Sequence, residues 1–200
     1  MVGGKAYHRY FEGYSERRVW DSKKQRFCLE TYYSGNYYRL QASDEEKSRI
    51  KKEYLAGYIC AVAVFFFVCT RKTVSAASVI TAFPTLAILL GLLWQFPSLI
   101  TYLHTKELII MRQYRERKNF MSLDMGLAFL FVAGAVAHLG CMFSYRSFSD
   151  VQEWVTVAGH VLDAVVFYSI YRKEKGLVYL IVPNESKIPE DCYDITLRDH

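Results

Sequence analysis

The chain lacks every short motif that would announce a common chemistry. It has no G-x-S-x-G elbow for an activated serine and no H-E-x-x-H pair for zinc. A glycine-rich phosphate loop and a C-x-x-C are missing as well. These gaps remove the familiar signatures of hydrolases, metalloproteases, nucleotide-binding proteins and thiol oxidoreductases. Its five cysteines form no disulfide framework: Cys28 and Cys192 fall in polar segments, Cys60, Cys69 and Cys141 in apolar ones, without metal-finger spacing. No short apolar core followed by small residues occurs in the first fifty residues, so no cleavable leader is expected and the first spanning helix should direct insertion itself. Internal repeats and low-complexity stretches are lacking too.

Charge is also missing, but only locally. A mean hydropathy of +0.04 averages long uncharged blocks with heavily charged ones. The uncharged blocks predict four transmembrane helices at 54–70, 79–103, 125–145 and 154–171. Each is close to the roughly twenty residues that cross a hydrocarbon core of about 30 Å. Within lipid every backbone polar group must be paired inside its own segment, so these spans are helices rather than open strands. The expected fold is an integral membrane α-helical protein, a four-helix bundle with a small β-rich cytoplasmic module.

Lys and Arg set the expected orientation. With the N-terminus inside, residues 1–53, 104–123 and 172–200 carry twenty-two of them, and the two outer loops carry three, Arg71, Lys72 and Arg146. That asymmetry places both termini and the 104–123 loop in the cytoplasm, with the cell membrane as the natural compartment. Basic residues beside apolar spans suit anionic headgroups, which is the role expected of Lys47, Arg49, Lys51 and Lys52. The run Arg112–Lys118 serves topology in the same way, and no nucleic-acid partner is expected.

Local signals refine the boundaries. Ser43-Asp44-Glu45-Glu46 is a capping box that starts a helical stalk at 44, running unbroken into the first span. Ser149-Asp150-Val151-Gln152 reads as a second capping box opening the fourth helix. Pro84 is near the start of the second helix and harmless. Pro97 lies in its interior, removes an amide and predicts a kink near Leu93, with Gln95 and Ser98 placed to satisfy the freed carbonyl. The tyrosine-rich segment 26–40 reads as a hairpin about Ser34-Gly35-Asn36, and 108–114 and 176–182 are strand-like. An isolated two-stranded hairpin is marginal in water, so the three segments are expected to share one small sheet. Its tyrosines are explained by sheet packing as well as by docking or phosphorylation.

Ionisable side chains inside spans are costly and draw attention. They are His138 in the third helix and His160 and Asp163 in the fourth, with Cys141 and Gln95 beside them. At a rise of 1.5 Å per residue, both histidines lie roughly 9–10 Å below the outer surface. The same arithmetic puts Gln95 level with Asp163. Cys141 shares a face with His138, and Asp163 with His160. Asp163 is expected to face the bundle interior, hydrogen-bonded to His138 or Gln95.

Three roles are open to this group: a polar clamp between helices, a proton or cation path, and a metal site of the two histidines, Cys141 and Asp163. The expected role is that of a non-enzymatic accessory or scaffolding subunit that presents the cytoplasmic module. It would use no cofactor or metal, and its partners would be the lipid bilayer and another membrane protein or itself. The alternative is a transporter or channel subunit that uses the His/Asp cluster to move protons, cations or a metal.

Overall fold

The computed structural model describes residues 13–23, 25–105 and 107–184, with Arg17 and Asp21 described by their backbone alone. Cys192 lies outside these residues. The order of elements is β1 (Tyr14–Asp21), β2 (Arg26–Tyr33), β3 (Tyr37–Leu40), α1 (Asp44–Cys69), a 3-10 turn (Ser75–Ala77), α2 (Val79–Leu103), β4 (Leu108–Ile109), α3 (Met111–Tyr145), α4 (Val151–Lys175) and β5 (Tyr179–Val182). They form two compact units, a helical bundle (42–105 and 116–177) and a β-rich unit drawn from the three remaining stretches.

All four helices are long and apolar enough to cross a membrane. Their outward side chains are apolar too: Phe66, Phe83, Leu93, Trp94, Phe129 and Phe143 are all exposed. A water-soluble bundle would bury such a surface, whereas lipid solvates it. The chain is a multi-pass membrane protein in contact with the bilayer. The interior holds Ala61, Phe65, Ile88, Leu92, Leu127, Phe131 and Phe167 at mid-height, with Tyr54, Leu99, Tyr102, Phe120 and Ile170 at the stalk end. Between α3 and α4 an apolar furrow of about 470 Å³ is lined by Val132, Val136, Val161 and Val165 among others. Acyl chains fit its chemistry.

Capping chemistry explains where the helices begin. Ser43 Oγ accepts from the Glu46 amide at 3.2 Å, and three acidic residues occupy the first turn of α1, where the helix dipole favours them. The cap of α4 is Asp150, not Ser149: its Oδ1 accepts from the Gln152 amide at 2.8 Å. A carboxylate at the positive end of the dipole is the stronger acceptor, which moves the boundary by one residue.

The third helix also differs from expectation. It begins at Met111, so the basic run lies on a helix rather than in a loop, and only Leu108–Ile109 of 108–114 is strand. Arg, Gln, Glu and Lys are good helix formers and no proline interrupts them, so the helix extends for 35 residues, about 52 Å.

Close approach of α1 to α4 depends on two glycines. A Cβ at Gly57 would sit 3.2 Å from Ile170 Cδ1, and one at Gly159 would press into Val68 Cγ2. Gly159→Ala is therefore expected to cost about 1–3 kcal/mol of bundle stability, as overpacking does. Unfolding in mixed detergent micelles would measure the loss, and an unchanged midpoint would refute it.

In the β-rich unit, β2 pairs with β1, not with β3. The antiparallel register runs from Tyr14 opposite Tyr33 to Asp21 opposite Arg26. The 26–40 hairpin is thus replaced by a 14–33 hairpin, and the turn at Ser34-Gly35-Asn36 leads out of it. β3 is the middle strand of a separate antiparallel sheet of order β4-β3-β5, with Tyr38 opposite Ile109 and Ile181. Tyrosines supply its packing: Tyr38 stacks on Tyr114 at 4.4 Å, and Tyr179 meets Tyr114 edge-on. The Tyr33 hydroxyl donates to the Asn36 carbonyl at 2.7 Å and accepts from the Met111 amide at 3.0 Å.

Candidate functional site

The buried stripe of α4 is unusual for a membrane helix. Glu153, His160, Asp163 and Glu174 all point inward, together with Thr156, Phe167 and Ile170. The first and last are 21 residues apart, about 31 Å along the axis, which equals the thickness of a bilayer core. Each of these four groups meets polar or ionisable residues from other helices, except Asp163.

At the loop end, Ser75 is the hub. The short 3-10 turn between α1 and α2 carries it into the bundle, where it is fully buried. Its amide donates to Glu153 Oε1 at 3.0 Å, and its hydroxyl donates to Glu153 Oε2. The single hydroxyl proton being used there, Ser75 Oγ accepts from His138 Nδ1, 2.7 Å away. Thr81 donates to the Ser75 carbonyl at 2.7 Å, and Thr73 Oγ1 holds the Ala76 amide at 3.1 Å. Serine, histidine and glutamate together invite comparison with a hydrolytic triad. In a triad the acid binds the far nitrogen of the imidazole. Here acid and imidazole both bind the serine, so the hydroxyl is tied down rather than activated.

The next step inward is His160, whose ring centroid lies 5.2 Å from that of His138. Phe131 and Gly134 of α3 wall it in. Nδ1 of His160 is buried with no hydrogen-bond partner. One turn on, Asp163 is 1% exposed, and neither of its oxygens receives a hydrogen bond. The expected bond from His138 or Gln95 is not made. His138 is committed to Ser75, and Gln95 Nε2 donates to Asp124 Oδ1 instead. Gln95 Oε1 and Asp124 Oδ2 remain unpartnered. Pro97 lies on the exposed side of α2. Gln95 does not serve the backbone beside it, whereas the Tyr58 hydroxyl donates to the Leu92 carbonyl at 2.7 Å.

At the stalk end, Glu174 Oε2 accepts from Tyr54 at 2.9 Å and from Tyr102 at 3.3 Å. Asp124 lies within electrostatic range of Glu174. The Arg117 guanidinium covers the Tyr102 ring at 4.3 Å. Lys51, expected at the headgroups, instead places Nζ on the carbonyls of Leu103 and Thr105 at 2.9 and 3.0 Å, capping the negative end of α2. Lys47 bridges to Asp44 at 2.9 Å, Arg49 lies 3.9 Å from Glu53, and Lys52 is exposed.

Cys141 is buried on the His138 side of α3. Even so, among the described residues no three His, Cys, Asp or Glu side chains gather into a group that could hold a metal ion. The four-ligand site of His138, His160, Cys141 and Asp163 is therefore not assembled. Spacing along two helices aligns faces but does not fix the distance between them.

Four participants were not singled out from the sequence: Ser75, Asp124, Glu153 and Glu174. Ser75 carried no signal, being a serine in a loop. Asp124 stood one residue outside the expected span, yet it leads the series Asp124, Leu127, Ala128, Phe131 at helical spacing. Glu153 and Glu174 looked like flanks, although they extend the His160 and Asp163 face by two turns and three turns. No protein-family model, curated protein or solved structure matches the chain.

Proposed function

We propose that the protein is a small, non-enzymatic transporter or channel subunit that carries protons across the membrane along the acid–histidine line. The observation that supports this reading over a static clamp is Asp163, buried with both oxygens unpartnered. An interhelical hydrogen bond is worth about 0.6–2 kcal/mol, while an ionised aspartate at mid-membrane costs about 2.5–3.5 kcal/mol. A clamp that makes no bond gains nothing to offset that cost. A carrier needs such a group, because a proton taken up must also be released. The lack of a gathered metal-binding group among the described residues favours protons over a metal ion.

The line divides naturally into three parts. Glu153, Ser75 and His138 form the entrance, His160 and Asp163 the mid-membrane station, and Asp124, Glu174, Tyr54 and Tyr102 the opposite exit. Histidine and carboxyl side chains exchange protons readily, and hydroxyls bridge between them. The entrance faces outside and the exit faces the cytoplasm if the Lys and Arg asymmetry sets orientation. Sheet pairing agrees with an even count of crossings. Two spans separate β3 from β4 and two separate β4 from β5, yet all three strands share one sheet.

The test is reconstitution into vesicles that enclose a pH-sensitive dye. After an external acid step, the protein should raise the rate of internal acidification about tenfold over protein-free vesicles. A rate equal to that of empty vesicles would overturn the proposal. A second reading, an accessory subunit that recruits another protein through the β-rich unit, is favoured by the exposed aromatics of the β1–β2 hairpin. It expects no proton flux and a stoichiometric partner retained through purification in mild detergent.

A further inference from the structure

The β1–β2 hairpin carries a feature that proton movement does not use. Trp20 is opposite Phe27 in the antiparallel register, and their rings meet edge to face at 5.0 Å. Both are largely exposed, at 53% and 64%. Arg18 and Leu29 form the next cross-strand pair in line, two residues along each strand and on the same face. Leu29 is likewise exposed. Among the described residues this sheet has two strands, and a two-stranded sheet has little core of its own.

Charge in this hairpin is in basic excess. Over the hairpin 14–33 the chain holds Arg17, Arg18, Lys23, Lys24 and Arg26 against Glu16, Asp21 and Glu30, and Lys23 and Lys24 fall between the two strands in sequence. An aromatic pair with basic residues near it in sequence is a composition that seats at a membrane interface. There the indole and phenyl rings enter the headgroup and acyl boundary while Lys and Arg meet anionic lipid. We infer that the tip of the β1–β2 hairpin is a membrane-interface anchor that binds an anionic lipid surface through Trp20, Phe27 and their flanking basic residues.

Reach permits it. β3 ends at Leu40 and α1 begins at Asp44, so three residues link them along the chain. An eight-residue strand is about 26 Å long. The stalk from Asp44 to Glu53 is about 15 Å. Nucleic acid fits less well. Bases stack on open aromatic faces, and in a T-shaped pair one ring face is already taken by the edge of the other.

The experiment places Trp20 as the sole tryptophan, in a Trp94→Phe, Trp154→Phe background of the full chain. The protein is assembled in nanodiscs of phosphatidylcholine, with or without phosphatidylserine, containing lipid brominated on its acyl chains. Trp20 emission should be blue-shifted and quenched about twofold in the anionic discs, and high salt should reverse both. Water-like, unquenched emission in both discs would overturn the inference. Equal quenching in both would overturn the anionic part of it. Relief of quenching by an added RNA oligonucleotide would mean that the tip prefers nucleic acid. Should the double background fail to assemble, a spin label at Ser22→Cys in a cysteine-free chain with its native tryptophans reads the same contact. There, greater accessibility to oxygen than to a polar nickel reagent supports it, and the reverse rejects it.

Discussion

Asp163→Asn should reduce proton flux in reconstituted vesicles at least tenfold while leaving the bundle as stable as before. The side chain keeps its volume and its position next to His160, but it can no longer take up and release a proton. Stability should not suffer, because neither oxygen of Asp163 makes a hydrogen bond that the amide would have to replace. Removing a buried group that has no partner strands nothing, in contrast with breaking a pair. The two readouts separate the roles. A clamp would show unchanged flux, and a partnered aspartate would show a loss of stability. Full flux in Asp163→Asn vesicles would remove Asp163 from the path.

The opposite pattern is expected at Ser75. Ser75→Ala deletes one oxygen but strands two groups, the His138 Nδ1–H and one oxygen of Glu153. All three residues are almost wholly buried, so water cannot easily replace the lost contacts. Leaving a buried polar group unpaired costs about 1–3 kcal/mol, and more when the group is charged. The expected loss is therefore about 2–4 kcal/mol, read as a shift in the unfolding midpoint in mixed micelles. Glu153→Gln keeps one acceptor contact through its amide oxygen and loses the other, so it should cost less than Ser75→Ala. Equal stability of Ser75→Ala and the wild type would show that the hub is not formed.

Much of the bundle was legible in the sequence because lipid imposes a simple rule. Long uncharged runs must be helices, and all four are present. The polar line was only half legible. His138, His160 and Asp163 stood out because they interrupt apolar spans. Asp124, Glu153 and Glu174 did not, because they border those spans and acids are common at helix ends. What reveals them is depth and facing: each falls on the buried side of a helix that extends beyond its apolar run. Ser75 was beyond reach, since its role comes from a loop folding back into the bundle.

Partner choice was the least legible quantity. Gln95 and Asp163 are level in the depth arithmetic, yet Gln95 turns to Asp124 on α3. Height along an axis does not specify rotation about it. The hairpin failed for a related reason. β2 and β3 flank an obvious turn, whereas β1 reads as a charged segment, Tyr-Ser-Glu-Arg-Arg-Val-Trp-Asp, with no clean alternation. A two-stranded ribbon exposed on both faces has no buried side to impose one.

The β4-β3-β5 sheet sets a timetable for synthesis. β3 leaves the ribosome before any helix has entered the membrane, and both of its edges are then unpaired. β4 is made only after α1 and α2, and β5 only after α3 and α4. Such distant pairings close slowly, and an open edge invites pairing with a neighbouring chain. A chain halted after the second insertion has one edge covered and one bare. Closure of the second edge thus marks the moment when all four long helices have been made.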